Sequence, residues 1–166
     1  QSGVVRVYFN FTSEGAVVVM GSLTEKLNEV AVPFSFKVLY ARDYYDRYDA
    51  GVLYFDKDNY ELVRQVLSDV YRENKSYFKS EIPLFTMELA PGLGLAEEPD
   101  RKFASQESFG MNRCQMIANG LLKAWDQGDN STEGRMRAIL EQFSLLGIDL
   151  QRPYLNANSE DVYRVI

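Results

Sequence analysis

The stretch Phe34-Ser35-Phe36-Lys37-Val38-Leu39-Tyr40 sets Phe34, Phe36, Val38 and Tyr40 against Ser35, Lys37 and Leu39. A period of two over that length is the pattern of a half-buried strand. A tyrosine-rich, charged loop, Ala41 to Asp49, leads into a second apolar run at about Gly51 to Phe55. So short a connection cannot carry the crossover that a parallel pair needs, which predicts antiparallel pairing. Upstream, Val5, Val7, Phe9 and Phe11 alternate with Arg6, Tyr8 and Asn10, predicting another strand over Val4 to Phe11. Ser13 is placed to cap a helix to about Glu29, with Met20, Leu23, Leu27 and Val30 at helical spacing.

Downstream, Asp58 and Glu61 have capping-box spacing, and Tyr60, Val63, Leu67 and Val70 form the buried stripe of the helix they open. Pro83 precedes an apolar segment, Leu84 to Leu89, read as a fourth strand. Pro91 to Gln106 reads as a long irregular loop. Ser108 caps a helix with Cys114, Ile117, Leu121, Leu122 and Trp125 inward. Ser131 or Thr132 starts a last helix with Met136, Ile139, Leu140 and Phe143 buried, and Gly147 ends it. Pro153 disfavours helix at Arg152, so Arg152 to Asn156 reads as extended. This order predicts an α+β fold, a mostly antiparallel or mixed sheet with helices packed on it.

The 166 residues fit one domain, taken as 4–166, and 46% hydrophobic residues suffice for a core. Gln1-Ser2-Gly3 reads as a tag remnant, and the abrupt start of the first strand suggests a domain cut from a longer protein. A net charge of −6 argues against nucleic acid as a partner, since a phosphate backbone is held by clustered positive charge. No apolar run approaches the roughly 20 residues of a membrane span. The one cysteine, Cys114, has no disulfide partner, which suits a reducing, cytoplasmic compartment. With no histidine, the usual zinc ligand and proton shuttle are missing, so no metal or other cofactor is expected. Acid–base chemistry falls to Lys, Tyr, Asp, Glu or water.

Gly92-Leu93-Gly94 lacks the third glycine and the Lys-Ser/Thr pair of a phosphate loop and reads as a flexible turn. Asp56, Asp58 and Asn59 lack the glycine and terminal glutamate of a calcium loop, so helix capping explains them better. Cys114, on the stripe read as inward, is a structural thiol. Lys37 stands out because it lies mid-strand on the polar face, as Arg6 does on the first strand. If the strands share a sheet, both cations open onto one cleft, and neighbouring cations favour the basic form of a lysine. A solvated edge lysine is the plainer alternative. Arg47 lies among Asp43, Asp46 and Asp49, where local ion pairing is the plain reading. Arg113 lies one turn into a helix that begins Ser108-Phe109-Gly110, where an anion could meet free amides and a guanidinium together. A surface arginine is the equal alternative.

Several ordered stretches resemble the HopA family of type III secreted effectors and its relatives in class V lanthipeptide gene clusters. They are Val4–Asn10, Pro33–Leu39, Arg47–Tyr54, Leu89-Ala90-Pro91-Gly92-Leu93-Gly94-Leu95-Ala96-Glu97-Glu98-Pro99, Ser108-Phe109-Gly110-Met111-Asn112-Arg113-Cys114 and Arg152-Pro153-Tyr154-Leu155-Asn156. The resemblance implies an α+β domain, a secreted effector in the pathogen branch, and a partner of a kinase-like protein in the peptide-modifying branch. It implies a phosphothreonine or phosphoserine lyase that eliminates phosphate from a phosphorylated peptide or protein. Under that reading Lys37 takes the Cα proton, Arg47 and Arg113 bind the phosphate, and Arg6 is a weaker third ligand. Related lyases use a histidine acid, which is absent here, so phosphate leaves unprotonated or a tyrosine such as Tyr54 donates. The alternative is a non-catalytic interaction domain gripping a host or cellular protein through the Tyr44–Tyr48 loop, or a phosphopeptide reader.

Overall fold

The computed structural model describes residues 3–166, so the proposed tag residues Gln1 and Ser2 lie outside the described residues. Five strands and four α-helices follow the order β1 (Val4–Phe9), α1 (Ser13–Glu29), β2 (Phe34–Val38), β3 (Gly51–Asp56), α2 (Tyr60–Asn74), β4 (Met87–Ala90), β5 (Leu93–Glu97), α3 (Phe109–Asp126), α4 (Thr132–Leu145). The fold is α+β, with one sheet in the order β2-β3-β1-β5-β4. β3 pairs antiparallel with β2, as the short 41–50 connection requires, and antiparallel with β1 on its other side. The chain forms two compact units. One runs to Ala96 and takes back Val162–Ile166; the other is Glu97–Asp161.

In the first unit the strand alternation sets the core. Val5, Val7, Phe9, Leu53 and Phe55 are almost wholly buried on one sheet face. Phe9 meets Phe36 edge-on at 5.0 Å, and Phe11 and Phe78 extend the aromatic cluster. α1 packs against β2 and α2. Its buried stripe is Ala16, Val19, Leu23 and Leu27, while Val30 is exposed and Met20 half-buried. Tyr60, Val63, Leu67 and Val70 of α2 are buried as their spacing predicts.

Local chemistry corrects several expectations. Thr12, not Ser13, caps α1, its hydroxyl accepting the Gly15 N–H at 3.1 Å. The Asp58–Glu61 capping box does not form. Asp56 instead accepts the Asp58 N–H in a preceding 3-10 turn, and Glu61 pairs with Arg64. Residues 84–86 are not strand, because Phe85 has φ +71° and Thr86 folds back onto the Pro83 carbonyl through both its N–H and hydroxyl. The segment read as an irregular loop contains β5, joined to β4 by a turn at Pro91-Gly92. Gly92 has φ +78°, as the third position of a type II turn requires, and a Cβ there would lie 2.1 Å from the Lys79 carbonyl oxygen. The turn is built tightly into the fold.

In the second unit α3 packs on α4, with Gly120 against the Ile139 backbone. Met116, Phe143 and Ile148 form its small apolar core. Ser108 and Ser131 cap the two helices as read, accepting from the Met111 and Gly134 N–H groups. The inward face of α3 is a correction: it is Phe109, Asn112, Arg113, Met116, Gly120 and Ala124. Cys114, Leu121, Leu122 and Trp125 are exposed and Ile117 is half-buried. In α4 Phe143 is buried, but Met136 and Leu140 are about half exposed. Residues 152–155 form a turn, the Leu155 N–H reaching the Arg152 carbonyl, where an extended tail was expected.

Candidate functional site

Arg6, Tyr54 and Lys37 come together on the sheet face opposite the Phe9 core. The register places Arg6 opposite Tyr54 and Tyr54 opposite Ser35, with Lys37 one row along, opposite Val52. Residues directly opposite in an antiparallel pair share a face, so alternation alone aims these side chains the same way. The Arg6 guanidinium carbon lies 5.1 Å from the Tyr54 ring centroid, and the Lys37 ammonium nitrogen lies 5.2 Å from the same centroid. Each contact is a cation–π interaction worth about 0.5–1 kcal/mol at an exposed site. Lys37 is exposed; Arg6 and Tyr54 are half-buried. Ser35, which the sequence reading passed over, adds a hydroxyl to that row; strand alternation was its available signal.

Arg47 is held within its own loop. Its Nε and one terminal nitrogen donate to the two carboxylate oxygens of Asp49 at 2.8 and 2.7 Å. That bidentate pairing holds the Arg47 pKa above its ordinary value. The pair lines a shallow hollow of about 340 Å³ with Asp46, Tyr48 and Pro83.

Arg113, in the second unit, is 2% exposed. Its Nε donates to the Pro153 carbonyl at 2.8 Å, and its terminal nitrogens to the Leu155 carbonyl at 3.1 Å and to Asn112 Oδ1 at 2.6 Å. The Phe109 ring lies beneath the guanidinium at 5.0 Å. Asn112 Nδ2 donates to the Arg101 carbonyl and to Glu107, and Glu107 also accepts the Phe103 N–H. Glu97, 3% exposed, accepts from the Asn156 N–H and the Ser159 hydroxyl. Asn112, Arg113, Glu97 and Glu107 thus form the buried polar frame of this unit. Sequence reasoning took Arg113 as an anion ligand and missed Asn112, Glu97 and Glu107. Their signal lay in the stretches that carry the family resemblance, of which Glu97–Glu98, Ser108–Cys114 and Arg152–Asn156 supply the bonds described here.

Among the described residues no group of three or more His, Cys, Asp or Glu side chains is placed to hold a metal ion. Nor is any helix long and apolar enough to cross a membrane.

A family model described as the HopA1 effector protein family matches residues 1–155. The chain belongs to this family. Solved structures of similar fold include the effector protein from Pseudomonas syringae pv. tomato strain DC3000, with TM-score 0.71 and 18% identity over 95% of this chain. The effector protein from Pseudomonas syringae pv. syringae strain 61 gives TM-score 0.69 at the same identity and coverage. This chain spans 58% of each of those chains. At such identity the likeness is one of fold. No curated protein matches this HopA1-family chain.

Proposed function

We propose that this HopA1-family domain eliminates phosphate from a phosphoserine or phosphothreonine residue of a peptide or protein. The supporting observation is the convergence of Arg6, Tyr54 and Lys37 on one sheet face, with both cations against a single ring. Lys37 takes the Cα proton. The C–H electron pair becomes the Cα=Cβ double bond, and the Cβ–O bond breaks with its pair leaving on phosphate. Lys37 then returns its proton to solvent. Arg6 faces the phosphate, which carries about −1.5 to −2 charges. The Tyr54 hydroxyl is the available proton donor to the leaving oxygen.

Arg47 joins as a second phosphate ligand by exchanging Asp49 for the substrate, the same planar fork serving carboxylate or phosphate. Arg113, in the second unit, would have to give up the Pro153 and Leu155 carbonyls to bind a phosphate, so its part in this reading is to hold the 153–155 turn of its own unit. A kinase-like partner supplying the phosphorylated substrate, and secretion into a host cell, belong to the same proposal.

A phosphoserine peptide incubated with the domain loses the mass of phosphoric acid and gains a thiol-reactive alkene, whereas hydrolysis would restore the hydroxyl. Lys37→Ala abolishes elimination; Arg6→Ala slows it roughly 100-fold, in line with loss of one charge-stabilising donor. Turnover unchanged in Lys37→Ala removes Lys37 as the base. A second reading, a protein-interaction domain, is favoured by the exposure of Tyr40, Tyr44 and Tyr48 at 91%, 50% and 47%. No mass loss with any phosphopeptide would select it.

A further inference from the structure

The two edges of the sheet are treated differently. At the β4 edge the C-terminal segment returns, and the Ile166 N–H donates to the Leu89 carbonyl at 3.0 Å. β2 ends the other side and pairs with β3 alone. The Leu39 N–H donates to the Ala50 carbonyl at 3.0 Å, which fixes the phase of the ladder. Leu39, Lys37 and Ser35 therefore turn their backbone groups toward β3. Phe34, Phe36 and Val38 turn theirs outward. Among the described residues no backbone bond from a helix, loop or tail meets that outward row. An uncovered edge of this kind is a template for another strand.

The two sides of the edge differ in chemistry. Beside the first turns of α1 and the end of β2 lies a mainly apolar cleft of about 620 Å³, with Val17, Val18, Met20, Val38 and Tyr40 in its lining and the paired Glu14 and Arg42 beside them. Val17 and Tyr40 are 76% and 91% exposed. On the opposite side the one charge of β2 is Lys37. A strand laid along β2 would face the cleft with the side chains opposite Phe36 and Val38, and would set the intervening one against Lys37. That position is a non-hydrogen-bonded pair, where facing side chains come closest. Pairing β2 with a second copy of itself would bring two Lys37 ammonium groups opposite or diagonal to one another, which disfavours a homodimer here.

We infer that the free edge of β2 binds an extended peptide segment as a sixth strand. Its apolar side chains enter the α1 cleft, and an acidic or phosphorylated side chain faces Lys37. Main-chain bonds give such a complex its affinity, and the alternating pockets give it selectivity. This docking stands on the edge and the cleft and does not require the elimination chemistry.

The test uses the full chain and fluorescein-labelled nine-residue peptides alternating Val with Glu or Val with Lys, read by anisotropy. The Val/Glu peptide binds and the Val/Lys peptide binds at least roughly tenfold more weakly, and Lys37→Glu reverses that order. N-methylation of alternate amides, which removes two or more main-chain bonds, weakens the Val/Glu peptide roughly tenfold or more. Amide resonances of Phe34, Phe36 and Val38 shift on titration. Equal binding of both peptides, indifference to N-methylation, or shifts confined to α3 and α4 would overturn the inference. So would a concentration-dependent dimer in sedimentation in which the Phe34, Phe36 and Val38 amides are protected from hydrogen exchange, because a second copy then occupies the edge. Replacing Glu by phosphoserine separates the two proposals: bound but intact peptide leaves the docking standing and removes the lyase.

Discussion

Burial draws the Arg113 pKa down to about 10, with Asp100, Glu97 and Glu107 opposing, so the guanidinium stays charged at neutral pH. Its bonds to Pro153, Leu155 and Asn112 offset a desolvation that would otherwise be prohibitive. Arg113→Ala leaves two carbonyls and the carboxylates without their cation, and costs about 3–5 kcal/mol in urea unfolding. Arg113→Lys recovers little of this, because a single ammonium nitrogen cannot reach acceptors spread around the three nitrogens of a planar guanidinium. A loss below about 1 kcal/mol would show that water refills the site. Tyr154 gives a pH-dependent reading of the same unit. Burial first, and then its hydrogen bond to Asp161, raise its pKa to about 12. A group whose folded pKa is raised stabilises fully below its unfolded value and loses that contribution as pH rises through the folded value. The stability gap between the wild type and Tyr154→Phe therefore stays constant below about pH 10 and shrinks between about 10 and 12. A gap flat across that window would mean the phenol is not held as described.

At the scale of elements, three helices end alike. After α1, α3 and α4 the chain enters the left-handed region at Ala31 (φ +55°), Gly128 (φ +73°) and Gly147 (φ +70°). In each the next N–H reaches back to the third-last helical carbonyl: Val32 to Leu27, Asp129 to Ala124, Ile148 to Phe143. That is the Schellman pattern, which favours glycine at the left-handed residue. Ala31 is the exception. A non-glycine pays about 1–2 kcal/mol there, while glycine costs about 0.4–1 kcal/mol through the unfolded chain. Ala31→Gly thus raises stability by about 0.5 kcal/mol in chemical denaturation, and a loss would mean that Ala31 makes a compensating contact. The same scale explains α3. Apolar residues lie on both its sides, so periodicity cannot choose a face. The buried side is the one with Gly120, which leaves no room for a Cβ against the Ile139 backbone, and with Asn112 and Arg113, which hold neighbouring loops. Hydrophobicity selected the opposite stripe.

At the scale of the whole molecule, the apolar side of α3 remains open. Met111, Leu122 and Trp125 are 62%, 59% and 67% exposed. Trp125 is the single tryptophan, so its emission reports on that surface. In dilute solution the emission lies near that of free tryptophan and moves little on unfolding. A blue shift that grows with protein concentration would show the face covered by a second copy. The sequence by itself determined the α+β class, the antiparallel β2–β3 pair, the polar-face positions of Arg6 and Lys37, and the α2 stripe. These follow from periods of 2 and 3.6 and from connection length, which are local quantities. Only the tertiary structure decided which side of α3 is buried, that Leu93–Glu97 is a strand, that Arg47 binds Asp49, and that Arg113 holds the 153–155 turn. Each depends on partners distant in sequence or on competition between equally plausible local pairings. A carbonyl forty residues away can claim a guanidinium without leaving any periodicity to show it.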